Sequence, residues 1–244
     1  MSVYPLVVAV VSLAFGLVVL SQWARRRRPQ QGVWSFALLV AAAAAFAFVG
    51  FENTGSELLF RLYYICGALL AAAYLGMGSL YLVLSRHAAD LVLAVLAIAS
   101  ALAVALILVT PIDHRALLAA QHNGTPGTGV LKQGLWLALF IPHNIFGAIT
   151  VVGVALYSAY TVVRRQAPSR FAVANVVIAV GVGVVTSAGT SARLGQAGPF
   201  WIITALGYAV IFGGFLLTTN LAALTPRGVR EGRDARVGSG TASA

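Results

Sequence analysis

The stretch YPLVVAVVSLAFGLVVLSQW at 4–23, followed by Arg25, Arg26, Arg27 and Arg28, decides how the rest of the chain reads. It runs twenty residues without a charge. At about 1.5 Å of rise per residue, a helix of that length matches the ~30 Å of hydrocarbon in a bilayer. No basic side chain precedes it, and the arginines come after it. It is therefore expected to be a retained anchor rather than a cleaved signal peptide. Six more stretches of the same kind follow at 33–51, 58–84, 91–109, 135–163, 171–190 and 200–224.

The composition agrees with seven spans. Hydrophobic residues make up 60% of the 244 positions and charged residues 9%, with a mean hydropathy of +0.91, whereas soluble domains carry about 25% charge. The single cysteine, Cys66, excludes a disulfide scaffold. The expected fold is all-α and polytopic: seven transmembrane helices over 1–224 and a disordered, basic cytoplasmic tail over 225–244. A tail of that length is expected to be too short for an output domain, so any signal is expected to leave through a separate partner.

The net charge of +10 could suggest nucleic acid, but the basic residues lie between apolar stretches and form no patch. With the amino terminus outside, the inner side receives Arg25 to Arg28, Arg86, Arg164, Arg165, Arg170, Arg227, Arg230, Arg233 and Arg236, which is twelve of the sixteen. The outer side receives Arg61, Arg115, Lys132 and Arg193, which is four. Basic residues resist translocation, so this split places the amino terminus outside and the carboxyl terminus in the cytoplasm of a multi-pass plasma-membrane protein. The lipid bilayer is then the first partner, and nucleic acid is not expected. The longest connection, 110–133, is external; its Gly, Thr and Pro content marks it as either functional or mobile.

Sliding the chain on itself by 137 positions puts Arg27 and Arg28 on Arg164 and Arg165, Tyr64 on Trp201 and Gly76 on Gly213. A parallel repeat of spans one to three in spans five to seven, with span four as linker, would produce this match. So would the chance alignment of two Ala, Val and Leu rich stretches.

Ionisable and amide groups inside hydrocarbon are costly and mark candidate sites. They gather toward the outer half. Glu57, Arg61 and Tyr64 share one face of the third span, with Glu57 spaced to pair Arg61. Trp136, Phe140, His143, Asn144 and Gly147 share a face of the fifth, beside Pro142. Thr186, Thr190 and Arg193 do so in the sixth, while Glu52 ends the second and Trp201 and Tyr208 come from the seventh. The ligand-binding candidates are thus Glu52, Glu57, Arg61, Tyr64, His143, Asn144, Arg193 and Trp201. Together they would line an outward vestibule for a small zwitterionic, anionic or aromatic ligand. The alternative is an interfacial ion pair, an aromatic belt and a helix-to-helix hydrogen bond from His143. Small residues at Ala68, Ala72 and Gly76, and at Ala179, Gly183, Ser187 and Ser191, form ridges for close helix packing.

Several chemistries lack their residues. The only lysine, Lys132, lies in or beside the outer loop, so a retinal Schiff base has no partner in the membrane. Bis-histidine haem would need a second histidine at the depth of His143. No zinc ligand cluster, no mid-membrane aspartate, no Gly-x-Ser-x-Gly elbow and no phosphate loop is present in the sequence. No cofactor, metal or catalytic group is expected.

The run Phe60-Arg61-Leu62-Tyr63-Tyr64, with Leu75-Gly76-Met77-Gly78-Ser79-Leu80-Tyr81-Leu82, resembles a group of uncharacterised seven-helix membrane proteins of high-GC, actinobacterial-type bacteria. The topology is more distantly similar to the seven-helix sensor region of bacterial histidine kinases, from which it departs by lacking a kinase. Neither resemblance carries a functional residue onto this sequence. Three functions follow as expectations: a receptor-like sensor with a small ligand in the outer vestibule and a signalling partner, a small-solute transporter of two triple-helix units, or a structural subunit of a membrane complex.

Overall fold

The computed structural model describes residues 3–164, 169–196 and 198–223; the tail at 225–244 lies outside them. The described chain is helical throughout its spans: α1 (Val3–Arg26), α2 (Pro29–Thr54), α3 (Glu57–Leu80), α4 (Arg86–Val109), a short loop helix α5 (His114–Asn123), α6 (Leu137–Arg164), α7 (Ser169–Arg193) and α8 (Phe200–Ala223). All but α5 are long and apolar enough to cross a membrane. The protein is therefore an integral, multi-pass membrane protein.

Local chemistry sets the breaks between spans. Arg27 takes a positive φ of 50°, and Arg28 is extended because Pro29 at the start of α2 disfavours a helical residue before it. The guanidinium of Arg27 lies 4.9 Å from the ring centre of Trp23. Gly55, at φ 67°, closes α2 in the left-handed conformation that a side chain would resist. Ser56 and Ser85 then cap α3 and α4, accepting from the amides of Leu59 and Ala88.

The middle of α3, Tyr64–Ala71, is π-helical, with α-helix on both sides. A wider turn of this kind leaves main-chain carbonyls in need of other donors. Asn144 Nδ2 supplies one to Ala68 O at 2.9 Å, and further along α3 Trp34 Nε1 supplies another to Leu75 O at 3.2 Å.

Six helices form a ring in the order α1, α2, α3, α6, α7, α8, closed by contact between α8 and α1. The fourth span, α4, stands outside the ring against α3 and α6 and turns Leu91, Val95, Ile98 and Leu102 to the surroundings. Moving three places around this ring carries α1–α2–α3 onto α6–α7–α8, the order a parallel duplication requires. Individual contacts do not follow it. Gly76 is pressed against Gly147 and Thr150, whereas a side chain added at Gly213 would meet nothing.

Backbones approach most closely where side chains are absent, as expected for helices that associate within lipid by packing rather than by escape from water. A Cβ on Gly147 would run into the carbonyl of Ala72, and Gly181 and Gly207 face each other across α7 and α8. The ridge expected at Ala68, Ala72 and Gly76 thus makes its helix contact. The ridge expected at Gly183 does not: Gly183 is exposed, and α7 meets α8 through Gly181 two residues earlier.

The connection at 110–133 is a folded cap. Asp113 caps α5 by accepting from the amides of Arg115 and Ala116, Gly124 ends it at φ 61°, and an antiparallel bridge joins Ile112 to Leu131. Val130 is fully buried within the apolar cluster beneath.

Candidate functional site

The ring encloses a cavity of about 260 Å³ lined from all six of its helices. Its wall is a shelf of small residues, including Ala44, Ala45, Gly67, Ala68 and Ala148, faced by Tyr63, Phe140, Phe200 and Trp201. Polar groups are few: Asn144, Thr186, Thr190, Thr204 and Tyr208. No carboxylate, arginine, lysine or histidine lines it among the described residues.

The two ends of the cavity differ. Toward the cap it shares Tyr63, Ala68, Phe140, Gly189 and Phe200 with a second cavity of about 430 Å³, which lies beneath residues 126–133 and beside Tyr64 and Trp136. Over that outer space the cap is held by long hydrogen bonds, Tyr63 Oη donating to Pro126 O at 3.5 Å and Thr128 Oγ1 to Ala192 O at 3.4 Å. Bonds at this length are weak. Toward the arginine-rich end, Phe15, Val19, Leu38, Val151, Val182 and Ile211 pack into one apolar plug. Phe15 lies 4.9 Å from both Phe212 and Phe215, centre to centre.

The eight candidates from the sequence do not share one vestibule. Asn144 and Trp201 line the central cavity, and Tyr64 lines the outer one, lying against Phe140 at 5.3 Å with nearly parallel rings. The charged candidates lie elsewhere. Arg61 does not pair with Glu57; its Nη1 donates to Ile107 O and its Nη2 to Thr110 O at 2.8 Å. Those carbonyls lie at the carboxyl end of α4, where the helix dipole favours a cation; Ile107 O also accepts from the Thr110 amide at 3.3 Å. Glu57 instead meets His114 of the loop helix, 3.3 Å away at the surface. Glu52 is half-buried, and its main-chain oxygen accepts from Gln121 Nε2 of the cap at 3.3 Å. The side chain of Arg193 lies outside the described residues.

His143 is buried but faces α4 rather than the cavity. Its Nδ1 lies 2.7 Å from Leu139 O and its Nε2 3.1 Å from Ser100 Oγ. A carbonyl can only accept, so Nδ1 carries the proton and Nε2 accepts from the serine hydroxyl. This is the helix-to-helix hydrogen bond that was the alternative reading of the residue. It ties the peripheral α4 to the ring.

Asn144 is locked. Its Nδ2 donates to Ala68 O at 2.9 Å and to Phe140 O at 3.0 Å. Exchanging its amide nitrogen and oxygen would set oxygen against two carbonyls, so the orientation follows from chemistry. The indole N–H of Trp201 is buried within the wall and has no acceptor among the described residues, while its ring packs 4.5 Å from Phe48.

Tyr63, Phe200, Thr204 and the small-residue shelf were not singled out in the sequence as binding residues. Their signal was faint: small residues recurring on adjacent spans, at Ala41, Ala44 and Ala45 and at Gly67, Ala68 and Ala71, read equally well as packing. Compared with known protein families, curated proteins and solved structures, the chain has no match.

Proposed function

We propose that this protein is a receptor-like membrane module that binds a small ligand in the central cavity, reached from the cap end, and passes a helix rearrangement to a partner. The observation that carries this reading is the placement of the cavity, which shares five lining residues with a space under the cap and is bordered at the opposite end by the Phe15 cluster. The topology read from the arginines puts the cap outside the cell. The π-helical part of α3 borders the cavity at Gly67, Ala68 and Ala71, which puts a segment able to tighten its turns in direct reach of the ligand.

Gly189 offers a direct test, because it lines both cavities and a Cβ there would meet nothing within 4 Å. Gly189→Leu should set a side chain between the two cavities and abolish saturable ligand binding by the purified protein in nanodiscs. Replacing an interior helical glycine should also stabilise the fold, by about 0.5–1 kcal/mol. Unchanged binding would remove the cavity as the site.

The second reading, a transporter of two triple-helix units, is favoured by the order of the helices around the cavity. Solute flux into proteoliposomes containing this protein alone would establish it over the receptor reading. Binding without flux would do the reverse.

A further inference from the structure

The hydrogen-bonding capacity of the central cavity is one-sided, and this selects a class of ligand. Both N–H groups of Asn144 are committed to Ala68 O and Phe140 O. The hydroxyls of Thr186, Thr190 and Thr204 donate to Val182 O, Thr186 O and Phe200 O at 2.9, 3.1 and 2.7 Å. Tyr63 donates out of the cavity to Pro126 O. The Trp201 N–H is sealed in the wall. The capacity left uncommitted on these lining side chains is therefore that of acceptors, headed by Asn144 Oδ1, for which no donor is found among the described residues. Only the Tyr208 hydroxyl, which has no hydrogen bond among the described residues, could serve in either sense.

Size and charge narrow the choice. An apolar cavity of about 150 Å³ holds one benzene ring, so about 260 Å³ holds two fused rings. A charged ligand would lose its hydration with no opposite charge on the wall to replace it. The aromatic residues facing the small-residue shelf favour a flat body.

We infer that the cavity is a site for a neutral, flat, two-ring aromatic carrying a hydrogen-bond donor, its O–H or N–H given to Asn144 Oδ1. This inference rests on the cavity being the binding site as proposed above, and the experiment separates the two.

The probes are 1-naphthol, naphthalene and 1-naphthoate at neutral pH, with saturable binding to the full chain in nanodiscs measured against empty nanodiscs and against Gly189→Leu. The native protein should bind 1-naphthol, bind naphthalene about five- to tenfold more weakly for want of one hydrogen bond, and show no saturable binding of 1-naphthoate. In Asn144→Ala the preference for naphthol over naphthalene should disappear. Equal native affinity for naphthol and naphthalene, or binding of naphthoate as tight as that of naphthol, would overturn the ligand class and leave the cavity reading standing. A preference that survives in folded Asn144→Ala would overturn the role of Asn144. No saturable binding by any probe would overturn the cavity reading and this inference with it. The comparison of probes on the native protein stands whether or not the variant folds.

Discussion

Arg61 illustrates what a sequence can and cannot say about one residue. Spacing offered Glu57, four positions earlier, as its partner. The guanidinium instead spans to carbonyls of Ile107 and Thr110 at the end of another helix. Helix-end carbonyls have no side-chain signature, and these lie more than forty positions away, so the pairing was not legible. Arg61→Ala should release the end of α4 and lower stability by about 2 kcal/mol, read as a lower unfolding midpoint in detergent. Binding in the central cavity should stay unchanged, because Arg61 does not line it. A variant that loses binding while keeping its stability would return the arginine to the site. His143 makes the converse case. Its intramembrane position was legible, but the direction it faces was not, since that depends on where α4 stands. Ser100→Ala should cost about 0.5–1 kcal/mol in the same unfolding assay and leave ligand affinity alone; altered affinity would connect the α4 contact to the cavity.

At the scale of elements, the seven spans were legible because length and hydropathy are enforced by the bilayer, and the loop helix was missed although its signals were present. Asp113 and Gly124 bracket ten residues as caps, but the Gly, Thr and Pro run after them suggested an open loop. Asp113 also yields a pH prediction. The amide of Ala116 and, less strongly, that of Arg115, with the charges of Lys132 and Arg115 nearby, outweigh desolvation and hold its carboxyl below the usual range. A carboxylate with a lowered folded pKa stabilises its helix above the unfolded value of about 3.9, and the contribution is lost as pH falls through the folded pKa. The amide resonances of Arg115 and Ala116 should therefore titrate with a midpoint below about 3.9, and Asp113→Asn should retain the helix while abolishing the titration. A midpoint at or above the ordinary value would contradict the cap as described. The π-helical part of α3 had no comparable signal, because no proline interrupts YICGALLA.

The whole molecule is organised around a space, and a space belongs to no single stretch of sequence. An offset of 137 that reflected duplicated triple-helix units would be compatible with a ring order that repeats after three helices. It could not anticipate the departures. Trp201, aligned with Tyr64, packs on Phe48 of α2 whereas Tyr64 packs on Phe140 of α6, and the Phe15 cluster packs at the arginine-rich end. The receptor and transporter proposals differ in what that end must do, because alternating access requires the second end to open. That difference can be probed with one cysteine. In a Cys66→Ala background, Thr190→Cys places a thiol on the cavity wall near the cap end. A membrane-impermeant thiol reagent supplied on the cap side of oriented proteoliposomes should label it, and 1-naphthol should slow the labelling. Under the receptor proposal the same reagent supplied on the arginine-rich side should not reach it, because Phe15, Leu38, Val182 and Ile211 pack together there. Labelling from both sides at comparable rates would mean that the plug opens in the resting protein, and the two triple-helix units would then be working as halves of a transporter.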